Sequence, residues 1–148
     1  MRSNRTVCTA ILIAVFLCTT NKAFCVKGPP EQLVHDFYLW YCNELSTNIM
    51  RHPILDKDIL QYVDKRIITK LRMEYKHGLT DSDYFIKENG FWPEICNNVI
   101  IHGVPYINKN ISIFYVIFRI TNTKLHISIV LVERKNNSFH IIHVKQLN

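Results

Sequence analysis

Residues 125–134 read Leu-His-Ile-Ser-Ile-Val-Leu-Val-Glu-Arg, and this stretch decides the fold. Leu125, Ile127, Ile129 and Leu131 alternate with His126, Ser128, Val130 and Val132, the period of an extended strand with one core face and one partly covered face. On either side, Val99-Ile-Ile, the run from Ile111 to Thr121 and the run from Phe139 to Lys145 are β-branched and aromatic, parted by short polar links. Asn136-Asn-Ser138 carries the composition of a hairpin turn. Strands that follow one another this closely, with no helix between them, form an antiparallel sheet.

Upstream of Pro93 the apolar period lengthens. Leu33, Phe37, Tyr41 and Leu45, with Val34 and Trp40 beside them, predict an amphipathic helix over 31–46 with a broad aromatic face, and the prolines before it suit a first helical turn. A second helical region begins near Asp56 or Asp58 and runs through Leu60, Val63, Ile67 and Leu71, with a break and recapping at Asp64 and a stop at Gly78. Asp81-Ser-Asp-Tyr-Phe85 offers a cap and a short third helix or turn before Asn89-Gly90. Helices first and about four strands after specify an α+β domain rather than a βαβ one, and no internal repeat is visible.

The 148 residues are 48% hydrophobic and 20% charged with 4 Gly and 5 Pro, which excludes collagenous, low-complexity and disordered classes and suits one domain. Ala10–Cys18 is an uninterrupted apolar run, too short at about 1.5 Å of rise per residue to cross a hydrocarbon core of roughly 30 Å. With Arg2 and Arg5 ahead of it and Thr19-Thr-Asn-Lys22 behind, residues 1–25 read as a secretory signal peptide. A cut before Val26 is the first choice and a cut after Ala23 the second, leaving 26–148 as a single α+β domain. Leu17 before Cys18 and Phe24 before Cys25 speak against a lipid anchor, which needs a small residue there.

Export bears on charge and cysteine together. Residues 26–94 hold 9 bases and 11 acids, whereas 95–148 hold 6 bases and one acid, Glu133, so the sheet half is the cationic half. It has no Lys/Arg cluster and no nucleic-acid motif, and no nucleic-acid partner is expected. The exported domain keeps Cys42 and Cys96, which in an oxidising compartment suggest one disulfide contributing roughly 4 kcal/mol on the chain-entropy account.

Motifs for chemistry are sparse. No P-loop, dinucleotide fingerprint, HExxH or GxSxG occurs, and neither a metal nor a cofactor is expected. His140 and His143 fall in a strand, where residues three apart point to opposite faces. Glu133, the sheet's carboxylate, sits beside Arg134 and Lys135 and makes a poor buried base. The best polar constellation is Asp81, Asp83 and Tyr84, near Trp92 and Glu94. As chemistry it would be a pair of carboxylates, one kept protonated by the other; as structure, Asp81 caps a turn while Tyr84 and Phe85 dock it on the core, and the structural account needs no substrate. His35 and Asp36 diverge by about 100° on a helix and are not expected to form a dyad. Lys65, Arg66, Lys70, Arg72 and Lys76 make a basic stretch that either meets an acidic partner or is simply solvated.

Phe37-Tyr-x-Trp-Tyr41, Tyr62-Val-x-x-Arg66 with Lys70-Leu71, and Asp81-x-Asp-Tyr-Phe85 resemble a family of small exported bacterial domains of unknown function. That family includes envelope lipoproteins and is similar to immunity proteins that protect against type VI secretion amidase effectors. The likeness spans about residues 33–145; the chain departs from it at Phe139-His-Ile141, where such folds often carry Trp-Lys-Ile, and in lacking a lipobox. It implies a cystatin-like or nuclear-transport-factor-like cone, with helices in the concavity of a curved four-stranded antiparallel sheet. It also implies a non-enzymatic, periplasmic or secreted binding protein whose partner is a secreted toxin such as a cell-wall amidase. The alternative is a small ligand-binding protein or enzyme of the same fold, with an aromatic pocket near Trp40, Tyr41 and Trp92.

Overall fold

The computed structural model describes residues 29–48, 50–79, 82–87, 93–104, 108–120 and 125–147. Residues 1–25, together with Asp81 and Trp92 of the candidate constellation, lie outside that set.

The first helix, α1, spans Pro30–Thr47 and buries Leu33, Val34, Phe37, Tyr38, Tyr41 and Cys42, one continuous stripe at helical spacing. Pro30 occupies the first turn, where its missing N–H breaks no bond. At the other end Ser46 and Thr47 hydroxyls bond back to the carbonyls of Cys42 and Asn43.

The second helical region is divided as its Asp64 signal suggests, but the cause lies elsewhere in the chain. Two 3₁₀ turns, Pro53–Leu55 and Lys57–Gln61, precede α2, Lys65–Lys76. Between them Val63 forms a parallel bridge to Ile141 of the last strand: the Ile141 N–H donates to the Tyr62 carbonyl (2.8 Å) and the Asp64 N–H to the Ile141 carbonyl (3.0 Å). A backbone pairing sideways with a strand cannot also close helical turns, so the helix restarts, with the Asp64 carboxylate accepting from the Arg66 N–H. Gly78, at φ +65°, ends α2, and the Leu79 N–H reaches back to the Glu74 carbonyl.

Four strands follow: β1 Val99–Val104, β2 Ile111–Arg119, β3 Leu125–Lys135 and β4 Ser138–Leu147, paired in the order 1-2-3-4 and all antiparallel. Asn136 and Asn137 join β3 to β4 with φ of 49° and 62°, the left-handed pair that a tight hairpin turn requires. The architecture is α+β, helices on one face of a four-stranded antiparallel sheet, as the sequence predicts. Cys42 on α1 and Cys96 on the 3₁₀ turn Pro93–Asn98 are joined by a disulfide, their Cα atoms 5.6 Å apart.

The alternation on β3 leaves its inner face open, and one expectation about β4 is corrected. On β3 the residues turned to the helices are His126, Ser128, Val130 and Val132, while Leu125, Ile127, Ile129 and Leu131 face outward. The inner face here packs against Tyr38 of α1, whose ring meets edge-on at 5.4 Å that of Phe118, the β2 neighbour of His126, and the Phe118 ring in turn meets the His126 ring at 6.0 Å. On β4 a bulge shifts the register, so that His140 pairs with Glu133 and His143 with Leu131, both outward positions. The two histidines therefore share a face, although three residues apart, because the extra residue at the bulge resets the alternation.

Candidate functional site

Of the predicted constellation, Asp83 and Tyr84 are described, and Asp83 is the centre of a polar knot. Its Oδ1 accepts from the backbone N–H groups of Phe85 and Ile86, both at 2.8 Å, which folds residues 83–86 into a turn. Its Oδ2 accepts from the Tyr41 hydroxyl at 2.6 Å and lies 3.3 Å from His52 Nε2. The other ring nitrogen of His52, Nδ1, accepts from the Ile54 N–H at 3.3 Å, which leaves the proton of a neutral ring on Nε2, facing Asp83. Asp83 thus caps the 83–86 turn; the cap expected of Asp81 lies outside the described residues.

The electrostatics follow from this geometry. Burial would raise the Asp83 carboxyl, but the bonds from His52, Tyr41 and the Ile86 N–H outweigh it and hold the group below the usual carboxylate range. That direction is opposite to the one a carboxyl kept protonated for acid catalysis needs. Burial first, and the Asp83 charge second, push the Tyr38 and Tyr41 hydroxyls well above their ordinary range. Tyr38 donates to the Phe85 carbonyl at 3.1 Å, and the Tyr84 hydroxyl accepts from the Val144 N–H of β4 at 3.2 Å. Lys87 sits over the Tyr84 ring, 4.0 Å from its centre, and burial lowers its ammonium's pKa. With two donors on each oxygen, Asp83 ties α1, the His52 segment and the 83–86 turn together.

The donors that complete the knot were not visible as a set in the sequence. Tyr41 stands 42 residues from Asp83 and reads as one of the aromatic stripe of α1; His52 carries no signal of its own. Only the local part, an Asp two residues ahead of a Phe-Ile pair, could have been read as an Asx turn.

The remaining candidates divide clearly. Within the basic stretch, Arg72 donates to the carbonyls of Ile54 and Asp56, both at 2.8 Å, and so anchors α2 to the 3₁₀ turns. Arg66 engages Asp64 at 2.9 Å, and Lys70 lies 3.7 Å from Glu74. His35 and Asp36, not expected to meet, approach to 3.5 Å through their flexible side chains, an exposed contact of little energy. Among the described residues no group of three or more His, Cys, Asp or Glu is placed to hold a metal, and no helix is long and apolar enough to cross a membrane. Trp40, half-buried, stacks on Tyr62 with ring centres 5.5 Å apart, and Tyr41 is fully buried in the interior. A cleft of about 460 Å³ is lined by Asn108, Lys109, Arg134 and Phe139, and a smaller one of about 260 Å³ by residues that include Pro30 and Phe114, with neither Trp40 nor Tyr41 among their described lining residues.

No protein-family model matches this chain, and no curated protein sequence does. Its fold, however, recurs in the crystal structure of the type VI native effector–immunity complex Tae3–Tai3 from Ralstonia pickettii, with a TM-score of 0.70 and 20% identity over 80% of this chain and 95% of that one. The selenomethionine form of the same complex matches with a TM-score of 0.66 and 18% identity, over 81% of this chain and 97% of that one. At these identities the likeness establishes a shared fold.

Proposed function

We propose that this chain is an exported binding protein of the immunity type, which protects by covering the active site of a secreted cell-wall amidase. The observation that carries this reading is the fold likeness to a chain of an effector–immunity complex, over 95% of that chain's length. Two features support it. Asp83, the buried carboxylate of the constellation, has both oxygens engaged within the chain, a use that serves the fold rather than a reaction. The N-terminal pattern of residues 1–25 and the Cys42–Cys96 disulfide both suit a protein that works in an oxidising compartment outside the cytoplasm.

The test is recovery of the chain, tagged at its C-terminus, from the organism that encodes it, with bound proteins identified by mass. The expected result is a stoichiometric partner that cleaves peptidoglycan amide bonds, with activity abolished by one equivalent of the chain. A partner without hydrolase activity, or one whose activity is unchanged at saturating chain, would sink the immunity reading. Mass analysis of the recovered chain reports the N-terminus, expected at Val26.

A further inference from the structure

The helices cover one face of the sheet, and the opposite face is apolar. Its centre is made by Ile113, Tyr115 and Ile117 of β2 against Leu131, Ile129 and Ile127 of β3, three cross-strand pairs in register. Ile100 on β1 and Leu147 on β4 extend the Ile117–Ile127 row to both edges, and each is 42% exposed. Four strands about 4.8 Å apart and three rows of side chains span roughly 400 Å²; nine of the twelve positions are apolar and three, His102, His143 and Lys145, are not, leaving an apolar area of roughly 300 Å². That falls within the size of the largest apolar patches found on typical monomers, and the whole face is about half of the ~800 Å² per partner that a stable interface buries. The remaining half would come from a polar rim.

The rim says what kind of surface fits. Arg119 on β2 and Lys145 on β4 are exposed on this face, and no ion pair reaches either among the described residues. His102 and His143, also exposed, stand at its two edges. The one carboxylate on the face among the described residues is Glu133, and Arg66 approaches it to 3.9 Å. A second copy would bring the same cations and no free carboxylate to meet them.

We propose that the outer face of the sheet is the docking surface for a protein partner whose own surface is apolar at its centre and bordered by Asp and Glu. This rests on the reading of the chain as a binding protein and adds where the partner sits. The helix faces and the Asp83 knot are then support for the sheet rather than contact surface.

The experiment places the photo-crosslinker p-benzoylphenylalanine at Tyr115 of the full chain, expressed in the organism that encodes it. Leu39 on α1 and Met73 on α2, 66% and 57% exposed on the helix side, receive it as controls. The expected result is a heterologous adduct from position 115, with the cross-linked peptide lying in an Asp/Glu-bordered surface. The adduct should fall at least tenfold in yield with Arg119→Glu and Lys145→Glu, and less with the milder Arg119→Gln and Lys145→Gln, while the uncross-linked variants unfold at the parent's urea midpoint. Adducts from 39 or 73 alone would reject this face while leaving a binding function in place. An adduct to a second copy or to the chain's own residues, or one indifferent to the charge changes, would reject the partner described. No adduct from any position would remove the binding-protein reading and this surface with it.

Discussion

Asp83 shows how one side chain can hold three segments. Its carboxylate takes two backbone N–H groups, a tyrosine hydroxyl and a histidine N–H, and hydrogen bonds to a charged group are worth about 1.5–3 kcal/mol each in mutational terms. Tyr41→Phe should therefore cost about 2 kcal/mol at pH 7, and Asp83→Asn about 3 kcal/mol, both read from urea unfolding. The pH dependence has a definite sign. Because the folded carboxyl lies below its unfolded value of about 3.9, its stabilisation is complete above that value and is lost as pH falls toward the folded value. Parent stability should drop as pH falls below about 4, the unfolded value, and Asp83→Asn should flatten that drop. Asp64, held low chiefly by its bond from the Arg66 side chain, contributes slope that remains in the variant. An equal pH slope in the two proteins would contradict the assignment to Asp83. Of this knot, the sequence made Asp83 legible as a polar centre, while its donors, drawn from α1 and the segment after it, had no local pattern.

At the scale of elements, periodicity and end signals suffice wherever an element is decided by its own residues. The α1 stripe, the Asp64 cap, the Gly78 stop and the Asn136-Asn137 turn all follow from local chemistry. Where an element is decided by a neighbour, they give part or nothing: Asp64 marks the break at 62–64 but not the pairing with Ile141 that causes it, and the bulge in β4 carries no local signal. Asp64→Ala should cost about 1 kcal/mol through loss of the α2 cap. Phe37, whose ring meets those of Tyr38, Trp40, Tyr41, Tyr62 and Phe85, is a core hub; Phe37→Ala should cost about 3–5 kcal/mol in the same measurement. Reducing Cys42–Cys96 opens a closed loop of 54 residues' separation between α1 and the turn ahead of β1. It should lower stability by about 4 kcal/mol, measured as the difference in urea unfolding with and without reductant. Alkylation of both thiols in the unreduced native protein would show that the bridge is absent.

The whole molecule is a sheet with its two faces put to different uses. One face packs under α1 and takes the aromatic core; the other presents aliphatic rows rimmed by arginine, lysine and histidine. Charge reversal at Arg119 and Lys145 touches no buried contact, so the double variant should keep the parent's stability within about 0.5 kcal/mol. A larger loss would mean that those side chains serve the fold instead.

The order of helices and strands, the cationic character of the second half and the two cysteines available to pair were all determined by the sequence alone, because periodicity, turn residues and composition act over a few neighbouring positions. Which face of β3 turns inward, which donors surround Asp83 and which side of the sheet is left open were decided only in the tertiary structure. Each depends on what segments far apart in the chain bring to one place: Tyr38 against Phe118 and Phe118 against His126, Tyr41 and His52 against Asp83, and the described helices against one side of the sheet. On β3 the alternation sets Leu125, Ile127, Ile129 and Leu131 against a set that holds two polar residues, His126 and Ser128, and it is the packing partners rather than this local pattern that choose the inner face.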